Sequence, residues 1–178
     1  SERCKMKIDR LELRNFRAMH QAELKMDGKS SVIFGINGTG KSSVLKAVNL
    51  LYANIINQIV NRKELKQNYV LQLEDIQYGK SETYIAADFQ LDNELVRYFR
   101  KMTRRTGKRM QNINGLKRIT EQFQEQYISD DFQKNIPVFV NYGTNRLVLD
   151  IPLRIRTHHD FDIYSAFEKA IENRIDFR

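Results

Sequence analysis

The stretch "GINGTGKSS", Gly35 to Ser43, constrains this 178-residue chain more than any other. Three of the chain's eight glycines, Gly35, Gly38 and Gly40, fall within six residues, and Lys41 and Ser42 follow at once. Gly35 to Ser42 fits the spacing G-x-x-x-x-G-K-[ST], which marks a loop between a buried strand and a helix. Such a loop turns backbone N–H groups onto a phosphate chain, so side chains must be absent and unusual dihedrals allowed. The helix that follows points its free N-terminal N–H groups the same way. Lys41 supplies a point charge for the β- and γ-phosphates, and the Ser42 hydroxyl is a hard oxygen suited to Mg²⁺. The ligand implied is ATP, with GTP as the alternative. A glycine-rich turn that binds nothing is the competing reading of the loop.

The flanking pattern has the form the loop requires. "SVIF" (Ser31 to Phe34) is a short apolar run of the kind found in buried strands. "SSVLKAVNLLYANIINQIV" repeats apolar residues at three and four, through Val44, Leu45, Val48, Leu51, Tyr52, Ile55 and Ile59, which predicts an amphipathic helix. Upstream, "KIDRLELRNF" and "AELKM" alternate as an antiparallel pair of strands would. Downstream, "YIAADFQLD" and "ELVRYFRKM" predict a hairpin turning at Asp92-Asn93. "GLKRITEQFQEQYI" predicts a helix, "IPVFVNY" a buried strand, "RLVLDIPLRI" an extended segment broken by Pro152, and "DIYSAFEKAIENRI" a final helix. The expected fold class is α/β, a P-loop NTPase lobe with an antiparallel β subdomain.

Composition narrows the class. Hydrophobic residues make up 41% and charged residues 29%, as in a globular domain with a core. No apolar run reaches the roughly 20 residues of a membrane span, so no membrane partner is expected. The N-terminus has charge but no apolar segment of the secretory kind. Cys4 is the single cysteine, which rules out an internal disulfide and fits a cytoplasmic setting. The net charge of +8 permits a nucleic-acid partner without requiring one.

The segment from Ile8 to Leu51 resembles the opening of the SMC, RecF and OLD-like ABC ATPases. The shared features are a strand ending in Asn15-Phe16-Arg17, a second short strand, and G-x-N-G-x-G-K-S-S followed by apolar residues. "VFVNYGTNRLVLDIPLRI" further resembles predicted ATPases of bacterial virulence and anti-phage operons, the Septu-type and retron-associated, PtuA-like group. The resemblance implies nucleotide contacts from Gly35, Asn37, Gly38, Thr39, Gly40, Lys41, Ser42 and Ser43. It also implies that Arg17 brings a basic side chain to the nucleotide, the alternative being a solvated strand-end arginine. Tyr142, Asn145 and Arg146 fall where the Q-loop of such proteins sits, although its usual glutamine is absent.

The second half of such an ATPase is not visible in the sequence. "YSAFEKA" has the serine of a signature motif but not its glycines. Asp150 closes an apolar run, but Ile151 and Pro152 stand where a catalytic carboxylate is needed, so no catalytic residue is assigned. The expected organisation is a single N-terminal lobe over 1–178. It comprises strands, loop and helix in 1–60, a hairpin in 83–110 and an α/β part in 111–178, with the C-terminal lobe absent.

Seven cations without an intervening acid, Arg97, Arg100, Lys101, Arg104, Arg105, Lys108 and Arg109, form a candidate patch for DNA, RNA or a partner protein. A solvated hairpin is the plainer reading. "THHD" (Thr157 to Asp160) reads as a helix approach capped by Asp160 rather than a metal site, since adjacent histidines diverge. The resemblance implies an ATP- and Mg²⁺-dependent head that dimerises in DNA metabolism or anti-phage defence. Its partners would be its own C-terminal lobe, a second copy or higher oligomer, and a nuclease effector. The alternative is a nucleotide-gated scaffold that holds a nuclease or toxin with little or no turnover.

Overall fold

The computed structural model describes residues 6–27, 40–59, 69–91 and 94–128. Five strands form one antiparallel sheet in the order β2-β1-β3-β4-β5. They are β1 (Lys7–Phe16), β2 (Met19–Lys25), β3 (Glu82–Gln90), β4 (Leu95–Thr103) and β5 (Arg109–Gln111). Two helices accompany them, α1 (Lys41–Ile59) and α2 (Ile113–Ile128). A 3₁₀ turn, Leu73–Asp75, lies in the connector between α1 and β3.

The alternation of the strands sorts the sheet into two faces. Leu11 and Leu13 of β1, Ile85, Ala87 and Phe89 of β3, and Val96, Tyr98 and Met102 of β4 are buried in one core. They share it with Val44, Ala47, Leu50, Leu51, Ile55 and Ile59 of α1, and with Leu116 and Ile119 of α2. The helix expected after the glycine loop is therefore present, and its apolar face covers the sheet. Leu45 is the exception to the expected stripe, at 48% exposed. It stands about 100° around the helix from Val44, at the edge of the buried face.

The hairpins also form as expected. Phe16 pairs with Met19 across the Arg17-Ala18 turn, and Gln90 pairs with Leu95 at the other hairpin. There the Leu91 N–H donates to the Glu94 carbonyl at 2.9 Å, while Asp92 and Asn93 lie outside the described residues. The expected strands at 31–34 and 136–142, the segment around Pro152 and the last helix also lie outside them.

Strand β5 was not anticipated. It extends the sheet by three pairs, Arg100–Gln111, Lys101–Met110 and Met102–Arg109. Where the backbone pairing stops, the Asn112 side chain continues it. Its Oδ1 accepts the Phe99 N–H at 2.7 Å and its Nδ2 donates to the Arg97 carbonyl at 2.7 Å. Gly115 then brings α2 close against β4. A Cβ at this position would lie 2.2 Å from the Arg97 carbonyl oxygen, which leaves room for glycine alone.

Candidate nucleotide site

The described part of the loop-helix junction begins at Gly40. Its φ of +101° lies in the left-handed region, which a side chain would strain. The Gly40 carbonyl accepts the Val44 N–H at 3.0 Å, so it closes the first helical turn. That turn carries no acidic residue, and Lys41, half-buried, opens it. Ser42 is exposed and Ser43 buried. A 19-residue helix therefore begins on a glycine, a cation and an exposed hydroxyl, with no carboxylate in its first turn to repel an anion. These residues fit the phosphates of a nucleotide. Gly35, Asn37, Gly38 and Thr39 lie outside the described residues, as do Tyr142, Asn145, Arg146, Asp150 and the Thr157–Asp160 stretch.

The β1–β2 turn meets this junction. Met19 packs on Gly40, its Sδ, Cγ and Cε each 3.3 Å from where a Cβ would stand. Two residues earlier, Arg17 adopts a φ of 54°, and Asn15 a φ of 48°. Asparagine tolerates that region better than most residues, and its side chain is held by a 2.9 Å hydrogen bond with His20 Nδ1. Phe16, between them, is fully buried. The local geometry thus explains the order Asn-Phe-Arg: a left-handed bend, a core anchor, and a cation turned out beside Gly40's neighbour.

The connector residues Tyr69–Lys80 back this turn. The Arg17 N–H donates to the Asp75 carbonyl at 2.8 Å, and the Gln77 N–H donates to the Asn15 carbonyl at 2.8 Å. Phe16 and Ile76 form an isolated bridge. Arg17 Nε also lies 3.7 Å from Asp75 Oδ1, an ion pair rather than a hydrogen bond. Asp75 is nearly fully buried, and its Oδ2 accepts the Gln72 N–H at 2.9 Å. Sequence reading missed Asp75. Its one local signal is the Gln72-to-Asp75 spacing, which resembles a capping box.

The basic stretch divides among different surroundings: Arg100 is buried, Arg97 and Lys101 are half-buried, and Arg104, Arg105, Lys108 and Arg109 are exposed. Arg100 is buried and donates through Nη1 to the carbonyls of Leu50 (2.6 Å) and Tyr69 (2.8 Å). Burial lowers its guanidinium pKa from the ordinary value, yet arginine keeps its charge. Arg109 Nε donates to the Leu71 carbonyl at 2.6 Å. Arg104 donates to the carbonyls of Lys80 (2.9 Å), Ile76 (2.9 Å) and Gln77 (3.4 Å). Three arginines of the β4–β5 hairpin thus clamp the same connector that holds Arg17.

Arg97 and Lys101 point to the other sheet face and are neutralised there. Lys101 pairs with Glu82 at 2.7 Å, and Arg97 pairs with both Glu12 and Asp88. Arg10 joins Glu23 and Asp88, and Arg14 joins Glu12 while its guanidinium lies 4.5 Å from the Tyr84 ring centroid. Burial works against the charge of Glu12, but Arg14 and Arg97 outweigh it and hold the carboxyl below its ordinary pKa. Burial likewise opposes the Arg97 charge, and Tyr84 and Asp88 raise its pKa despite it. On this face Arg10, Arg14, Arg97 and Lys101 are each paired with a carboxylate of Glu12, Glu23, Glu82 or Asp88. Arg104, Arg105, Lys108 and Arg109 stay exposed, and of these Arg105 and Lys108, on the β4–β5 turn, make no side-chain hydrogen bond or ion pair among the described residues.

A family model described as the AAA ATPase domain matches residues 6–172, nearly the whole chain. The chain belongs to the AAA ATPase domain family. Its fold class is that of a P-loop ATPase, α/β with an antiparallel five-stranded sheet among the described residues. Such an ATPase domain implies nucleotide binding. Over 46 residues this AAA ATPase domain is 48% identical to the DNA replication and repair protein RecF of Magnetococcus marinus. Over 47 residues it is 43% identical to that of Rhizobium etli. Each match takes in 26% of this chain and only 12% or 13% of the relative.

Among solved structures, one concerns ATP-driven dimerisation and DNA-stimulated activation of SMC ATPases. It overlaps with a TM-score of 0.48 at 19% identity, covering 70% of this chain and 82% of that one. The recombination mediator RecF bound to ATP overlaps with a TM-score of 0.48 at 19% identity, covering 62% of this chain and 27% of that one. No helix among the described residues is long and apolar enough to cross a membrane.

Proposed function

We propose that the loop ending at Gly40, with the first turn of α1, binds the phosphates of ATP. In this reading Gly35, Asn37, Gly38 and Thr39 supply backbone N–H groups, Lys41 faces the β- and γ-phosphates, and Ser42, with Ser43 behind it, holds Mg²⁺ through its hydroxyl. Arg17 reaches the same phosphates from the β1–β2 turn, and Tyr142, Asn145 and Arg146 line the Q-loop side. The observation that carries the reading is Gly40 itself, a left-handed glycine that opens a long helix in a chain of an ATPase family. The nucleotide supplies the transferable phosphoryl group and its charge; this chain's residues bind it, orient it and neutralise it.

The chain then serves as the N-terminal lobe of an SMC/RecF-like ABC ATPase head, spanning 1–178. Completed by a C-terminal lobe, it dimerises when nucleotide binds and acts in DNA metabolism or bacterial anti-phage defence in the cytoplasm. The curated relatives, named for DNA replication and repair, support the first of these settings. Equilibrium titration with Mg²⁺-ATP tests the site: the chain binds, and Lys41→Ala binds far more weakly. Unchanged affinity in that variant would overturn the assignment. Light scattering with and without ATP on the protein joined to its second lobe tests the dimer, and a mass independent of nucleotide speaks against it.

A further inference from the structure

We propose that Asp75 is a positioning residue for Arg17, holding its guanidinium at the rim of the nucleotide site before nucleotide arrives. The inference rests on the reading of Arg17 as a nucleotide contact and adds the group that aims it. Arg17 sits two residues from Met19, which packs on Gly40, so its backbone is tied to the exit of the phosphate loop. Its backbone is left-handed, a conformation that must be imposed from outside. Asp75 holds Arg17 at two points, one on the backbone and one on the side chain. The Asp75 carbonyl takes the Arg17 N–H at 2.8 Å, and the Asp75 carboxylate faces Arg17 Nε at 3.7 Å.

The chemistry of Asp75 fits aiming better than stabilising. Its side chain is 3% exposed, whereas that of Arg17 is 41% exposed. Pairing a buried carboxylate with a half-exposed cation is a poor source of stability, because the carboxylate loses hydration and the pair stays partly screened. The carboxylate is itself held rigidly, since Oδ2 accepts the Gln72 N–H at 2.9 Å and leaves Oδ1 for Arg17. At 3.7 Å the ion pair directs the guanidinium without saturating its N–H donors. Those donors can still fork onto phosphate oxygens. The connector bearing Asp75 is fixed in turn by Arg104, which donates to the Ile76 and Gln77 carbonyls, and by the Phe16–Ile76 bridge.

The test is a double-mutant cycle on the full chain, read as Mg²⁺-ATP affinity by equilibrium titration, with the melting temperature followed alongside. Arg17→Ala is expected to weaken ATP about tenfold, the worth of a charge-assisted contact. Asp75→Asn keeps an acceptor for the Gln72 N–H and is expected to weaken ATP several-fold. In the double variant the loss equals that of Arg17→Ala alone, because Asp75 acts through Arg17. Losses that multiply would show that Asp75 acts on the fold or the loop independently, and would overturn the proposal. Should Asp75→Asn fail to fold, Asp75→Glu replaces it in the same cycle. It retains the charge, displaces it by one methylene, and is expected to give a smaller loss with the same non-additivity. Lys41→Ala separates the two readings. If it leaves ATP affinity unchanged, the nucleotide site and this inference fail together. If it weakens ATP while Arg17→Ala does not, the site stands and only the role of Asp75 falls.

Discussion

Two sets of cations in this molecule are placed for opposite ends. Arg17 and Lys41 stand half-exposed around the start of α1, where no acidic residue occupies the first helical turn. Arg100, Arg104 and Arg109 instead spend their N–H groups on six backbone carbonyls of α1 and the Tyr69–Lys80 connector. A guanidinium already committed to carbonyls cannot take a phosphate without releasing the segment it holds. The difference shows that net charge says little about an anion site. What matters is whether the backbone beside the cations is shaped for the anion.

The sharpest way to break that comparison is to remove a clamping cation. Arg100→Ala deletes two hydrogen bonds to buried carbonyls and opens a cavity beneath α1. It is expected to cost about 3 kcal/mol of stability, since orphaned acceptors and lost packing add. Urea unfolding measures it, and a change below about 0.5 kcal/mol would mean that Arg100 belongs with the solvent-facing set. The cation at the helix start behaves in the reverse manner. Lys41→Ala is expected to lower ATP affinity about a hundredfold, near 2.7 kcal/mol, while the unfolding midpoint barely moves. A variant that loses both would place Lys41 among the structural cations.

Next in size is the β4–β5 turn. Arg105→Glu with Lys108→Glu changes the two cations of the basic stretch whose side chains make no hydrogen bond or ion pair among the described residues. Stability is expected to stay within about 0.5 kcal/mol of the parent. Adding Arg104→Glu and Arg109→Glu is expected to cost a further 1–2 kcal/mol or so, because both bond the connector. Gel-shift titration of a DNA or RNA duplex at low and high salt then reads any nucleic-acid role. If the two-residue variant abolishes a strongly salt-dependent affinity, the turn is a phosphate contact. If only the four-residue variant does, the loss follows from unfolding of the connector.

How much of this was legible in the sequence depended on the range of the interaction. The glycine spacing is local and demands a backbone, so Gly40 with Lys41 fell where expected. The alternation of "KIDRLELRNF" placed Leu11 and Leu13 in the core for the same reason. The fate of the arginines was not local. Arg97, Arg100 and Arg104 are close in sequence, yet one joins the charged sheet face, one is buried under α1 and one grips Ile76, Gln77 and Lys80. Those destinations are set by strand register and by a connector far upstream, neither of which a run of charges encodes. Asn54, Tyr98 and Gln111 make the same point. They form a hydrogen-bonded cluster joining buried Asn54 and Tyr98 of α1 and β4 to exposed Gln111 of β5 at 2.5–2.7 Å, and nothing in their own neighbourhoods announces it.

The smallest expected effect concerns the charged face of the sheet, and pH reads it. Glu12 is held below its ordinary carboxyl pKa, because Arg14 and Arg97 outweigh the cost of its burial. A carboxylate with a depressed folded pKa contributes stability that is fully present above its unfolded value, near 4.3. That contribution is lost as pH falls through the folded value, because the folded state then binds the proton that the unfolded state bound earlier. Glu12→Gln removes the titration and leaves the shape. At pH 7 the parent is therefore expected to be the more stable, by a margin that shrinks below about pH 4. Denaturant midpoints of both proteins from pH 7 down to pH 3 give the curve. A gap that stays constant with pH would show that Glu12 acts through packing alone. The sheet face would then be held by apolar contact with Tyr84 and Phe99, whose rings lie 5.3 Å apart, rather than by balanced charge.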